Sequence, residues 1–366
     1  MQVLFYCFAV VCLVNLCYYF GFLKFSQKKP SQQSLSRPLP VSVIICAKNE
    51  AENLRNFLPS ILSQNHPHFE VVVINDASTD ETLEVIEDFQ ARDPRVKIVN
   101  VQNNEAFWAN KKYALTLGIK KAVNPYLLFT DADCQPESEN WISEMTAGFR
   151  QDKSIILGYG GYFVKKRSLL NKLIRFETLL TAVQYFSYAN WGLPYMGVGR
   201  NLAYTAEEFY NQNGFASHLH LRSGDDDLFV NQASTAKNTV GCFTEGSVTR
   251  SVPKENLRAW FHQKKRHVSV AKHYKLSHRI LLGLFYLSQI TFWALFIILL
   301  FSSFWKLALG ALLLRLLVQG IVFYNSGKKL NEKDLIWLFP FLELFLVSAQ
   351  LGIFISNSIS KPNHWK

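Results

Sequence analysis

Apolar residues are concentrated in long runs at the two ends of the chain, and this placement limits how its 366 residues can fold. The first run, Val3 to Leu23, is long enough to cross a bilayer as a helix. Three further runs, Ile280 to Phe301, Leu307 to Tyr324 and Leu335 to Ile355, each have about the length of a membrane span. The sequence therefore predicts an amino-terminal anchor, a polar central domain and three carboxy-terminal membrane helices.

Positive charge indicates on which side of the membrane the central domain lies. The net charge is +11, and basic residues cluster beside apolar runs at Lys24 to Arg37, Lys264 to Arg279 and Lys328 to Lys333. This placement favours membrane lipids over nucleic acid as partners. Because basic loops tend to stay in the cytoplasm, it predicts a multi-pass protein of the plasma membrane (the bacterial inner membrane) with a cytoplasmic central domain.

The chain is expected to divide into five segments. The first apolar run is interpreted as an uncleaved anchor, because no positive charge precedes it and no small-residue cleavage site is evident before Lys24. The second carboxy-terminal run contains Arg315, which is costly in lipid unless it pairs or reaches the surface. The predicted segments are an anchor at 1–25, a linker rich in Pro and Ser at 26–40, a domain at 41–275, transmembrane helices at 276–358 and a tail at 359–366.

The central domain shows short apolar runs that alternate with helical patterns, which is typical of an α/β fold with a parallel sheet. The predicted strands are Val41 to Cys46, Val71 to Ile74, Val96 to Val101 and Tyr126 to Thr130. The helices between them are predicted at Glu52 to Gln64, Glu81 to Gln90 and Lys111 to Val123. A later helix, Ser168 to Ala189, mixes apolar, aromatic and nearby basic residues, so it fits either a core helix or one at the membrane surface.

Two carboxylates, Asp131 and Asp133, follow the last predicted strand with one residue between them. Residues i and i+2 of a strand point to the same face, so both side chains can converge on one cation. Hard divalent ions such as Mg²⁺ take carboxylate oxygens and share their other positions with phosphates. Acidic residues after a strand also form ordinary turns, so this pair alone leaves both interpretations open.

Four segments in order extend this pattern. They are Val43 to Glu50, Asn75 to Asp80, Asp131 to Asp133 and Gly224 to Leu228. Together they resemble the family 2 inverting glycosyltransferases, which have the GT-A fold, and in particular the membrane-bound branch that includes cellulose, hyaluronan and ceramide sugar transferases. The resemblance covers roughly 41–274 and implies an enzyme of the hexosyltransferase type.

The resemblance implies a binding site for a nucleotide-sugar donor. In the family, residues at these positions hold the ribose and base, read the base and face the diphosphate. In this sequence they are Ala47, Asn49, Glu50, Asp76, Lys111 and Asp131. Asp133 resembles the direct ligand of Mg²⁺ or Mn²⁺, and Asp131 is the second residue assigned to the metal. A glycine-rich loop beneath the donor sugar is implied at Gly197, Gly199 and Asn201.

The resemblance also implies a carboxylate that takes the proton of the acceptor hydroxyl. Aligning Asp227 and Leu228 with one common form of the motif makes Asp225 the base, whereas the hyaluronan-type form makes it Asp226, which is slightly preferred. Adjacent acids raise at least one pKa by repulsion, which suits a base.

Gln263 and Arg266 match the Gln-x-x-Arg-Trp motif of processive members, where the arginine binds the diphosphate. His267 replaces the Trp, which argues against the synthesis of long chains.

The expected function is inverting transfer of a sugar, from a UDP-sugar, to a lipid-linked or envelope glycan acceptor at the cytoplasmic face of the membrane. Two alternatives stay open. The first is a processive polysaccharide synthase, and the second is a catalytically silent membrane scaffold that retains the nucleotide-binding fold. No nucleic-acid partner is expected, since aromatic residues do not interleave with the basic clusters.

Overall fold

The computed structural model describes residues 1–30, 37–102, 111–221 and 223–359. The predicted linker at 26–40 lies partly outside these residues, as does nearly all of the predicted tail at 359–366.

Within the described residues, seven strands form one sheet and three form a small second sheet. The strands are β1 (Val41–Ala47), β2 (Phe69–Asp76), β3 (Val96–Val101), β4 (Tyr126–Asp131), β5 (Cys134–Pro136), β6 (Ile155–Leu157), β7 (Gly160–Tyr162), β8 (Leu202–Thr205), β9 (Thr239–Gly241) and β10 (Thr249–Ser251). The strand orders are β3-β2-β1-β4-β8-β6-β9 and β5-β10-β7.

Helices cover the sheets and extend beyond them. They are α1 (Gln2–Gln27), α2 (Ala51–Leu62), α3 (Thr82–Arg92), α4 (Lys111–Lys121), α5 (Trp141–Thr146), α6 (Leu169–Asn190), α7 (Ala206–Asn211), α8 (Asp227–Ala233), α9 (Leu257–Val270), α10 (Leu276–Leu300), α11 (Trp305–Lys329) and α12 (Phe339–Ile359).

The α/β prediction is confirmed, with one refinement. Strands β1 to β4 pair in parallel, as the alternating pattern predicts. Strand β8 is antiparallel to both β4 and β6, so the sheet as a whole is mixed. The residues of β2 are all buried, which explains its nearly continuous apolar sequence, since both faces of a parallel sheet are covered. Strands β2 and β4 also run further than predicted and end at Asp76 and Asp131.

In the described part of the chain, four helices are long and apolar enough to cross a membrane: α1, α10, α11 and the segment Lys333–Ile359 that contains α12. They agree with the predicted one amino-terminal and three carboxy-terminal apolar helices. Helix α1 packs against both α10 and α11. Helix α6 is almost entirely buried and lies between the central domain and these helices, so it is a core helix rather than a lipid-facing one.

Arg315 of α11 is fully buried, and its charge is matched inside the helix bundle. Its guanidinium donates to Glu343 of α12 at 2.6 and 3.1 Å and to Asn15 of α1 at 3.0 Å. Gln289 and Gln319 complete the network. The sequence indicates that Arg315 is costly to place in lipid, but its partner Glu343, which interrupts the third carboxy-terminal apolar run, was not predicted. The pair makes both charges tolerable there.

The connection between α11 and α12 is attached to the central domain through Glu332. This carboxylate is fully buried and pairs with Arg175 of α6 at 2.5 Å and with Arg250 of β10. The Tyr159 hydroxyl donates to it at 3.0 Å. Arg175 also pairs with Asp334, so ion pairs fix both sides of this connection.

Candidate functional site

The site forms where parallel strands end at one edge of the large sheet. Strand β1 lies between β2 and β4, with Ala47 opposite Asn75 and Cys46 opposite Asp131. Asp76 and Asp131, the last residues of β2 and β4, therefore flank the end of β1. The carboxyl edge of a parallel sheet is where open α/β folds bind ligands.

Lys111 joins this edge to the second acidic segment. Its ammonium lies 2.9 Å from Asp131 Oδ1 and 3.2 Å from Asp225 Oδ2. Burial alone would lower the pKa of Lys111, but Asp131 and Asp225 raise it well above its ordinary value. The side chain is therefore a fixed positive charge between two carboxylates that are far apart in the sequence.

Asp133 lies in the turn after β4, close to two other acids. Burial, followed by repulsion from Asp131 and Glu50, raises the pKa of Asp133, while Arg200 acts in the opposite direction. A carboxylate in such a place gains from a bound cation. The described residues contain no cluster of three His, Cys, Asp or Glu side chains arranged to hold a metal. Asp131 and Asp133 fit a divalent ion that takes its remaining ligands from phosphate and water.

The loop after β1 is tied to the loop after β2. Asn49 has a positive φ of 56°, and its side-chain oxygen accepts a hydrogen bond from the Thr79 amide at 2.8 Å. The Glu50 amide donates to Thr82 Oγ1 at 2.9 Å. Asp76 lies beneath these loops with its Oδ2 atom buried and, within the described residues, without a hydrogen-bond partner. Burial raises the pKa of Asp76, and Lys48 and Lys111 oppose this. An orphaned buried oxygen points to a ligand donor.

Three consecutive acids lie opposite the sheet edge, and two of them are held by hydrogen bonds. Asp226 accepts from the amide of Gly199 and from that of Asp227, both at 2.7 Å. Asp227 accepts from the Tyr274 hydroxyl at 2.6 Å. Burial and repulsion from Asp225 raise the pKa of Asp226 to about 6, and burial and repulsion from Asp226 raise that of Asp227 to about 8. The protonation state of Asp226 therefore affects that of Asp227.

The glycine-rich loop reaches the acidic segment through its backbone. A Cβ on Gly199 would meet the Asp226 carboxylate at 3.3 Å, and one on Gly197 would meet Leu202 at 2.8 Å. Asn201 differs from the expectation. Its side chain is fully buried, donates to Tyr159 O and Ser247 O, and accepts from the Trp141 indole. It braces the loop from behind, so its position does not support a direct contact with a donor.

Helix α9 brings a cation to the acids. Arg266 lies close to Asp225, Asp131 and Asp226, which oppose the lowering of its pKa by burial. Gln263, one turn earlier, has a buried Oε1 atom without a hydrogen-bond partner among the described residues. Arg266 is therefore near the acids of the site, and Gln263 lies on the same helix.

Residues 42–202 match the family model described as glycosyl transferase family 2. This chain carries a family 2 glycosyltransferase domain. The match includes Asp76, Asp131 and Asp133 and ends before the acids Asp225 to Asp227.

Curated relatives share part of this domain. Over 127 residues the chain is 34% identical to a poly-beta-1,6-N-acetyl-D-glucosamine synthase of Staphylococcus epidermidis, which is 33% of this chain and 29% of that relative. It is 27% identical over 126 residues to the putative teichuronic acid biosynthesis glycosyltransferase TuaG of Bacillus subtilis, which is 34% of this chain and 47% of that relative. The matches thus span less than half the length of either relative.

A solved structure extends the likeness to nearly the whole chain. The mannosyltransferase PcManGT of Pyrobaculum calidifontis, determined with GDP-Man and Mn²⁺, superposes with a TM-score of 0.61 at 17% sequence identity. The superposition covers 94% of this chain and 98% of the other. The expected GT-A fold of the family 2 domain is confirmed.

Sequence reasoning missed Arg200 as a member of this site. It follows Gly199, and its guanidinium lies 4.2 Å from the centre of the Tyr162 ring, with a buried Nη1 atom that has no partner in the described part of the chain. It opposes the raised pKa of Asp133. A cation directly after the glycine-rich loop was the available signal, because such loops lie close to charged ligands.

Proposed function

We propose that the chain transfers a sugar from a nucleoside-diphosphate sugar to a lipid-linked or envelope glycan acceptor, with inversion at the anomeric carbon. The observation that carries this proposal is the Lys111 bridge between Asp131 and Asp225. It brings the acid at the strand edge and the later acidic segment to one place. A sugar transferase needs a diphosphate site and a carboxylate base within one substrate length.

The nucleoside would bind at the loops after β1 and β2. Ala47, Asn49 and Glu50 would enclose it, and the orphaned Oδ2 of Asp76 would accept from the base or ribose. We propose a UDP-sugar as donor. The relative named for an N-acetylglucosamine polymer supports this choice, whereas the structural neighbour was determined with GDP-Man.

The diphosphate would lie between the Asp131–Asp133 turn and three cations. Lys111 and Arg266 would bind its oxygens, with Gln263 beside them, and Arg200 is close enough to the turn to contribute. Asp133 and Asp131 would hold Mg²⁺ or Mn²⁺, which would neutralise charge on the departing nucleoside diphosphate.

We favour Asp225 as the base, although the sequence comparison slightly preferred Asp226. Both oxygens of Asp226 already accept backbone amides, one from Gly199 and one from its own helix. These bonds fix Asp226 as a support for the loop under the donor sugar. The side chain of Asp225 faces Lys111 and the strand edge, where an acceptor hydroxyl would meet the sugar.

The domain at 41–275 would work on the cytoplasmic side of the plasma membrane, attached to the bilayer by α1, α10 and α11. Arg175, Arg250 and Glu332 join it to the membrane-facing helices. A lipid-linked acceptor could then reach the site without leaving the bilayer.

A processive synthase is the second candidate, because one relative is named for polymer synthesis. The length of the glycan product would distinguish a processive synthase from an enzyme that transfers a single sugar. His267, which replaces the expected Trp, favours one or a few transfers.

A donor screen with the purified full chain in detergent tests the main proposal. Hydrolysis of UDP-, GDP- and dTDP-sugars would be measured with Mn²⁺, with Mg²⁺ and with EDTA. We expect one UDP-sugar to be hydrolysed, at a rate that EDTA reduces at least tenfold. No turnover of any donor, together with no binding of any nucleotide by calorimetry, would overturn the proposal. Binding without turnover would support the silent scaffold.

A further inference from the structure

Helix α12 is attached to the central domain at both of its ends. Before its first residue, Glu332 pairs with Arg175 and Arg250. Near its last residue, the side-chain amide of Asn357 donates to the Lys265 carbonyl of α9 at 3.0 Å. A helix that crosses the bilayer separates its ends by the full membrane thickness, about 30 Å. Two ends that contact the same domain do not fit that arrangement.

The middle of α12 lies at the level where the central domain meets the other apolar helices. Glu343 accepts from the Tyr19 hydroxyl, and the Tyr286 hydroxyl donates to Val347 O, both at 3.3 Å. At the same level, Phe22 of α1 stacks on Trp191 of the central domain with ring centres 5.7 Å apart. The middle of α12 is therefore close to the domain.

The two faces of α12 differ in what covers them. One face is buried against protein and recurs with a helical period; it consists of Phe339, Leu342, Glu343, Leu346, Val347 and Ile353. The opposite face is exposed and apolar, with Phe341 at 75% and Ile355 at 50% exposure. Helices α10 and α11 also expose apolar residues, such as Leu287 and Ile321. Exposed apolar helix faces of this kind fit lipid.

We propose that α12 lies along the cytoplasmic leaflet of the bilayer instead of crossing it, with its apolar face in the lipid and its other face against α6 and α9. The chain would then cross the membrane three times, and its carboxyl end would be on the side of the central domain. Length and hydropathy do not distinguish the two placements, since a mainly apolar helix of 21 residues satisfies either.

This placement makes α12 the support of α9. The Phe261 ring lies 3.8 Å from where a Cβ on Gly352 would be, and Asn357 holds the carbonyl of Lys265. Helix α9 carries Gln263 and Arg266. The position of α12 in the leaflet would therefore affect the height and tilt of α9, which closes one side of the site.

Cysteine accessibility in cells that express the full chain tests this proposal independently of activity. Reporter cysteines would be introduced as Ser358→Cys and, at a second position, Ile359→Cys. Ser302→Cys, between α10 and α11, would report the far side of the membrane, and Asp152→Cys would report the central domain. Cys7 and Cys17, which are exposed on α1, would be replaced by Ser in every variant. A membrane-impermeant maleimide would be applied before and after permeabilisation.

We expect both reporters at the end of α12 to react at least tenfold faster after permeabilisation, as Asp152→Cys does, while Ser302→Cys reacts in intact cells. If the whole protein were inserted the other way, the α12 reporters would still follow Asp152→Cys, which also supports the proposal. Labelling of the α12 reporters together with Ser302→Cys would overturn it.

Discussion

The ammonium of Lys111 lies 3.2 Å from the carboxylate of Asp225, which joins a residue beside the sheet edge to an acidic segment more than a hundred positions later. The same ammonium pairs with Asp131. In the absence of a donor, Lys111 thus neutralises two carboxylates that would otherwise repel a negatively charged nucleotide. When a diphosphate binds, its oxygens would compete with these carboxylates for the same cation.

Lys111→Met should raise the KM for the donor about 10- to 100-fold, because one charge-assisted contact worth roughly 1.5–3 kcal/mol would be lost. Lys120→Met, on the same helix but exposed, is the matched control and should leave KM unchanged. Donor kinetics at saturating acceptor provide the measurement. Equal KM values for the two variants would contradict a role for Lys111 at the diphosphate.

Asp225→Asn should lower kcat by about 10²–10⁴-fold, the usual effect of losing a general base, with donor binding retained. Asp226→Asn should cost less, since an amide oxygen can still accept the Gly199 amide. Turnover would be measured against nucleotide binding for both variants. The reverse ranking would return the base to Asp226.

The acid limb of the pH–rate profile should reflect Asp226. Burial and repulsion from Asp225 raise its pKa to about 6, so its negative charge is lost as the pH falls through that value. Asp226→Asn removes this titration, so the acid limb should move to lower pH. Profiles of kcat/KM from pH 5 to 9 would show the shift, and an unchanged limb would mean that Asp226 does not contribute to it.

Asp227→Asn should change how stability depends on pH. The folded chain raises the pKa of Asp227 to about 8, so between about pH 4 and pH 8 it keeps a proton that the unfolded chain releases. Native stability therefore falls as pH rises through this window, by an amount on the order of 2–4 kcal/mol. The melting temperature of the variant relative to the native protein should rise from pH 5 to pH 8. The exposed Asp152→Asn should show no such trend.

Arg315→Met should destabilise the helix bundle by about 3–5 kcal/mol, because it leaves Glu343 buried without its partner. Adding Glu343→Leu should restore much of that loss, since apolar replacement of a buried pair is often close to neutral. Leu313→Met, on the exposed side of α11, is the control. Thermal melts in detergent would measure the native protein and these three variants, and a double variant no more stable than Arg315→Met would contradict the pairing.

The sequence predicted the strand–helix alternation and the residues at the sheet edge because these depend on local patterns. A buried strand that ends in Asp131 is visible as an apolar run followed by acid. The order of the four motifs is enough to indicate the family from the sequence alone. The roles assigned to the individual site residues stay predictions until kinetics test them.

Other features depend on contacts between distant parts of the chain, which no local pattern reveals. The partner of Arg315 is Glu343 on another helix. A single acid within an apolar run does not by itself indicate which residue it pairs with. Asn201 belongs to a loop that the sequence predicts to face a ligand. However, its side chain is buried and forms hydrogen bonds with the Trp141 indole and the Ser247 carbonyl. The placement of α12 depends on contacts that hydropathy does not record. Asn357 of α12 donates to the Lys265 carbonyl, and Glu332, which precedes α12, pairs with Arg250.

The buried Glu332 has a consequence for the reach of the site. It fastens the α11–α12 connection to β10, and Ser251 of that strand bonds to Asp133. The sheet edge is thus attached to the helix bundle at a fixed distance. If the acceptor is lipid-anchored, as proposed, it would have to present its hydroxyl at that distance from the bilayer, and the attachment would select acceptors by the distance between membrane anchor and reacting sugar.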